Sequence, residues 1–388
     1  MFRHGRKGRR MVILAFALAV AAAAVLVGSG SLFGSSTRPA AASWRRLPEA
    51  PLTFEAGRTS VWTGKELIVS GLTGAAPDGN VLDAVDAAVA YNPATRHWRR
   101  LASPPKTATY CHRNAVWTGK EMLVWGCSLL SYDPASDQWR RLPSAPSGAG
   151  IVVWTGREMI GWGGGCCGDA IATGEAFNPE TDTWRTIAAS PLAPEQQALG
   201  AWTGRELVLF VSGISPADGK PFPDSLARAA AYNPVTDTWR QIAPLPERRA
   251  GATAVWDGHE LLVVGGRDGA GTATGVGLAF DPATNGWRRL RAMDTGRMQA
   301  AAAWTGSRVL VWGGELGRQA LVAARTGLSY DPGANRWSRL PQAPLQGRFD
   351  PVAAWTGREL IVWGGLGVGN GRGARYFADG AAYTPASP

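Results

Sequence analysis

"GATAVWDGHELLVVGG", residues 251–266, and "FDPATNGWRRL", residues 280–290, decide how this chain folds. A β-rich run reaches Trp256, an Asp-Gly pair follows, and an apolar run then ends in two glycines. Gly supplies the positive φ that a tight hairpin turn needs, so the first stretch reads as two antiparallel strands. In the second stretch the Asp-Pro pair stops one strand and Trp287 opens another. The unit is therefore four strands long.

The Trp-Thr/Asp-Gly element recurs at Trp62, Trp117, Trp154, Trp202, Trp256, Trp304 and Trp355, a mean period of about 49 residues. After each comes an aromatic-x-Pro element, as in "YNPATRHWRRL", residues 91–101. Seven repeats of four strands form a propeller pattern. Tyr383-Thr384-Pro385 supplies the seventh aromatic-x-Pro, but the chain stops before a Trp strand can follow. "SWRRL", residues 43–47, precedes the first repeat, so this segment is expected to form the outer strand of the last blade and lock the ring.

The Gly-Gly after the second strand, the Tyr-Asp-Pro and the Trp about six residues later resemble the kelch-repeat family, over residue 43 to the C-terminus. The resemblance implies an all-β, seven-bladed kelch-type β-propeller with the central-domain architecture of galactose oxidases. Its first strands are innermost, and its second-to-third loops share one face. Ser70-Gly71, Gly126-Cys127 and Val211-Ser212 depart from the Gly-Gly pattern.

All 18 Trp fall on strand positions of the repeat, seven before the first turn, seven opening fourth strands and four in second strands. They are expected to pack between blades rather than serve as platforms for bases or sugars. Small residues face the axis, with Arg58 and Arg113 as exceptions that direct a charge into or beside the channel and need a partner there.

Five basic residues in the first ten, followed by the apolar run Met11 to Val27, read as a signal peptide or N-terminal membrane anchor over 1–30, with a flexible linker over 31–42 and the propeller over 43–388. Cleavage and retention both remain open, and either one places the propeller outside the cytoplasm, secreted or anchored. Without the six basic residues of the leader and linker, 34 basic residues face 30 acidic ones, so the net charge of +10 is no signature of nucleic-acid binding. Contact with the membrane is expected only through the N-terminal segment.

Seven residues before each turn Trp, at the loop-face rim, stand Glu55, Tyr110, Ser147, Glu195, Arg249, Arg297 and Arg348. In some kelch proteins such arginines receive acidic side chains of a partner peptide. By resemblance, Arg249, Arg297 and Arg348 are candidates to bind a carboxylate or sulfate, and hydrogen bonding to loop carbonyls is the competing reading. Arg58, Arg113, Glu55, Glu195, Tyr110 and His112 complete the candidate set.

Galactose oxidases hold copper with two Tyr and two His, whereas of the four His only His112 falls on the loop face. No catalytic residue, metal site or cofactor is assigned. The expected role is that of a monomeric binding module at the cell envelope, taking a protein, acidic saccharide or peptide. A sugar epimerase or mutarotase using rim Arg and carboxylates is the alternative.

Cys111 and Cys127 stand eight residues either side of Gly119, which suits a cross-strand disulfide. Cys166 and Cys167 are adjacent, and a vicinal disulfide, pairing with another blade and free thiols all remain open.

Overall fold

The computed structural model describes residues 41–74, 83–107, 112–126, 128–148, 150–165, 169–212, 223, 225–317, 322–368 and 374–386. The expectations for the leader up to residue 40, for Tyr110 and for Cys111, Cys127, Cys166 and Cys167 lie outside the described residues.

Seven four-stranded antiparallel sheets are arranged as blades. Blade 1 runs outward through Ala56–Trp62, Leu67–Thr73, Val85–Asn92 and His97–Arg100. Blade 5 runs through Thr253–Trp256, Leu261–Val264, Leu278–Asp281 and Gly286–Arg289. The first strand of each blade lies against the first strands of both neighbours, and that of blade 7 lies against that of blade 1, so the first strands surround the axis. Small residues permit this crowding. A Cβ on Gly150 of blade 3 would sit 2.2 Å from the carbonyl oxygen of Gln196, which leads into blade 4.

Blade 7 closes the ring as its sequence implied. Ser43–Arg46 pairs antiparallel with Gly380–Thr384, setting Trp44 opposite Tyr383, and Leu47 N–H adds a bond to Gly380 O at 2.9 Å. Both chain ends thus meet in one sheet, which removes the open edge that either would leave alone.

The hairpin turns explain the Trp-Thr-Gly element. Gly64 takes φ of 87°, and Thr63 Oγ1 accepts from the amides of Lys65 and Glu66 at 3.2 and 2.9 Å. Gly at the first central position gives the turn whose twist matches two antiparallel strands, and the hydroxyl satisfies amides that the turn leaves over. In blade 5 the Asp257 carboxylate replaces the hydroxyl, accepting from His259 and Glu260.

Tryptophan joins the blades. Every fourth-strand Trp donates its indole N–H to a carbonyl in the chain leaving the preceding blade. Trp44 reaches Pro341, Trp98 reaches Pro48, Trp139 reaches Ala102 and Trp184 reaches Pro143. Trp239, Trp287 and Trp337 reach Ala188, Ala243 and Arg291 in the same way. The same rings pack on the second-strand aromatics of that preceding blade, Trp98 on Trp363 at 5.3 Å, Trp184 on Trp125 at 4.7 Å and Trp287 on Phe210 at 4.9 Å. Trp125, Trp162, Trp312 and Trp363 are fully buried. One residue type thus supplies apolar area and a satisfied polar edge at each junction.

A second repeated contact was not read from the sequence. The Glu that closes the hairpin turn pairs with the Arg after the fourth-strand Trp, as in Glu66–Arg99, Glu158–Arg185, Glu206–Arg240 and Glu260–Arg288. Blade 7 repeats it with Glu359–Arg45. Blade 6 departs at both positions together. Arg308 stands at the Glu position and bonds to Asp331, and Ser338 stands where the Arg would be.

Candidate functional site

At the loop-face end of the channel a cavity of about 770 Å³ opens, lined mostly by the segments that lead into the first strands. Blades 1 and 2 bring Glu55, Arg58, His112 and Arg113 to its lining, blade 4 brings Gln197, blade 6 brings Gln299, and blade 7 brings Asp350 and Tyr376. His112, Gln197, Gln299 and Asp350 are exposed.

Both channel arginines are paired with a carboxylate, although Arg58 Nε has no hydrogen-bond partner. Arg58, with 6% of its side chain exposed, donates to Phe54 O at 3.1 Å and to Asp350 Oδ2 at 2.9 Å, with its guanidinium carbon 6.0 Å from the Tyr376 ring centre. Arg113 meets Asp86 at 2.5 Å and donates to Thr107 Oγ1 at 2.7 Å, while the Thr107 amide donates to the same carboxylate. Each pair crosses a blade boundary, from blade 7 to 1 and from blade 1 to 2. The two arginines therefore join blades at the mouth, in a setting where loss of Asp350 or Asp86 would strand a buried guanidinium.

The rim arginines have separate fates. Arg297 is buried, and its Nη1 donates to Gly313 O and Thr326 O at 3.1 and 3.0 Å. Burial pulls its pKa down to about 10, against a smaller opposing effect from Asp294. Arg348 is fully buried, donating to Gly364 O and Asp379 O at 2.9 and 3.1 Å beside the Asp379 carboxylate, with the Phe377 ring 4.1 Å away. Burial lowers its pKa too, with the Asp379 charge opposing. Arg249 makes neither carbonyl contact and pairs with Glu247 at 3.0 Å. Arg249 and Glu195 line a smaller cleft between blades 4 and 5 that shares Gln197 and Gly251 with the mouth. Among the other rim residues, Ser147 donates to Glu175 at 2.7 Å, and burial raises the Glu175 pKa although that bond opposes it.

Among the described residues the set does not fit copper. His112 and Tyr376 reach the mouth, but at the opposite end His97 opens the fourth strand of blade 1, its Nδ1 2.6 Å from Thr95 O, and His259 lies in a hairpin turn. Among the described residues no three His, Cys, Asp or Glu side chains are grouped so as to hold an ion.

The kelch motif family model matches residues 248–293, which contain blade 5. A solved fungal alcohol oxidase of the AA5 family, in complex with copper, is similar over 89% of this chain and 77% of its own, with a TM-score of 0.65 and 14% identity. At that identity the likeness concerns the fold. With the kelch match on one blade and the same strand order repeated in the other six, the chain is a seven-bladed β-propeller of the kelch type.

Proposed function

We propose that this propeller is a binding module that takes a segment of a partner protein, or an acidic saccharide, into the mouth of its channel. The observation that carries the reading is the mouth itself, an open cavity of about 770 Å³ with the exposed polar groups of His112, Gln197 and Gln299 spread around it. A rigid ring that presents polar groups on irregular loops is the usual arrangement for recognition. Kelch propellers generally bind proteins, which supports the same class of role.

The basic and apolar segment before residue 28 supports an exported module at the cell envelope, cleaved or held by that segment. The triple variant His112→Ala, Gln197→Ala, Gln299→Ala tests the mouth. Partners that co-purify stoichiometrically with the wild-type chain are expected to fall at least about tenfold in occupancy, with the melting temperature unchanged. Retention of the same partners at the same stoichiometry would refute the assignment to the mouth.

A further inference from the structure

The Gly-Gly pairs set how closely one blade's loop-face end meets the next. Gly163 and Gly164, Gly265 and Gly266, and Gly313 and Gly314 all have positive φ. In each pair the second amide donates to the carbonyl of the next rim residue, Gly164 to Glu195, Gly266 to Arg297 and Gly314 to Arg348, at 2.8 to 2.9 Å. A Cβ on Gly265 would sit 2.1 Å from Arg297 O, and one on Gly313 would sit 2.7 Å from Arg348 O, so the approach requires glycine.

Blade 4 has Val211-Ser212 at these positions, neither with positive φ. The Ser212 amide donates to Glu195 Oε2 at 2.7 Å instead of to the next rim carbonyl. A cleft of about 290 Å³ stands at this junction. Its wall includes Arg249, whose side chain is fully buried and whose Nε and Nη1 have no hydrogen-bond partner. Arg297 and Arg348 each leave another nitrogen without a hydrogen bond but place Nη1 on two carbonyls, so it is at Nη1 that Arg249 lacks the acceptors its counterparts have. Burial pulls the Arg249 pKa down, with the Glu247 charge opposing.

The remaining walls define what would fit. Leu199, Phe210, Val211 and Leu245 give an apolar side, and Arg228 and Arg248 stand exposed at the lining. Three arginines thus face the carboxylates of Glu195 and Glu247, and Glu247 already bonds Arg249 and Arg289. We propose that the cleft between blades 4 and 5 binds a small amphipathic carboxylate, with its acid on Arg249 and its apolar group against the half-buried Leu199 and Leu245. An anion there supplies the acceptor that a buried guanidinium needs, and the apolar wall selects an acid with a hydrocarbon body. The cleft adjoins the channel mouth, since Gln197 and Gly251 line both, but Arg249, Phe210 and Leu245 belong to the cleft and not to the mouth.

Phenylacetate, with phenylacetamide as the uncharged control, tests the site by calorimetric titration of the intact protein. Saturable binding of phenylacetate is expected below about 10 mM, with the amide at least tenfold weaker. Arg249→Gln should weaken phenylacetate at least about tenfold, and Ser212→Trp, which fills the cleft from an exposed position without removing a charge, should abolish binding with the fold intact. His112→Ala in the mouth should leave it unchanged, which separates this site from the proposed partner site. No saturation by about 10 mM, equal affinity for acid and amide, or unaltered binding by Ser212→Trp would overturn the proposal.

Discussion

At the outer edge of the ring the seven blade junctions repeat one solution, and at the loop-face end they diverge. Each fourth-strand Trp donates its indole N–H to a carbonyl of the chain leaving the preceding blade, from Trp44 to Pro341 round to Trp337 and Arg291. On the loop face, Arg297 and Arg348 bind carbonyls, Arg249 pairs with Glu247, and Ser147 binds Glu175. The difference teaches that one contact, repeated at every junction, secures the outer edge, whereas the contacts that join blades at the mouth, such as Arg58–Asp350 and Arg113–Asp86, are particular to each junction.

The strongest way to break this division is to remove the outer strand that closes the ring. Deletion of residues 43–50 takes away Trp44, its bond to Pro341 and the pairing to Gly380–Thr384, and should cost more than about 5 kcal/mol in a denaturant titration. An unchanged unfolding midpoint would contradict the closure. Trp363→Ala, which empties the buried site between blades 7 and 1, should cost about 3–5 kcal/mol by the same measurement.

Two glycines sharpen the comparison at a smaller scale. Gly313→Ala pushes a methyl toward Arg348 O and strains a positive φ, and should cost about 2–3 kcal/mol. Gly119→Ala in an open hairpin turn meets nothing within 4 Å and should cost about 1 kcal/mol, from φ alone. Equal losses would mean that the Gly-Gly pair has no special part in joining blades.

Glu175 gives a pH signature. Burial raises its folded pKa, so the native state holds its proton at a pH where the unfolded chain has lost it. Stability from this group is complete below the ordinary glutamate range and declines as pH rises through the raised value. Glu175→Gln should therefore be more stable relative to wild type at neutral pH than at pH below the glutamate range, and thermal melts across that range read the change. The smallest effect belongs to blade 6. Arg308→Glu with Ser338→Arg rebuilds the pair seen in its neighbours and should show a coupling of about 0.5 kcal/mol in a double-mutant cycle.

The fold was legible because its punctuation is local. Gly64 or Gly258 must adopt positive φ wherever it stands, and the Trp spacing counts the blades without reference to anything distant. Closure by residues 43–47 was legible from one unmatched half-repeat at each end. The loop face was not legible in the same way. Arg249, Arg297 and Arg348 occupy the same repeat position, yet only two find carbonyl acceptors, and the departure at Val211-Ser212 lies in the preceding blade. Arg58 and Arg113 stood out as charges near the axis, but their partners Asp350 and Asp86 come from other blades. Pattern within a repeat defines a blade, and contacts between unlike repeats define the site.

Site-specific photo-cross-linking tests the division between ring and mouth most directly. A benzophenone amino acid would be placed at Gln197 or Gln299 in the mouth, and at Lys65 or the exposed Val235 on the opposite face, in the cells that make the protein. Discrete cross-linked partners are expected from the two mouth positions, with none from Lys65 or Val235. Partners captured at Lys65 or Val235 but not in the mouth would contradict it.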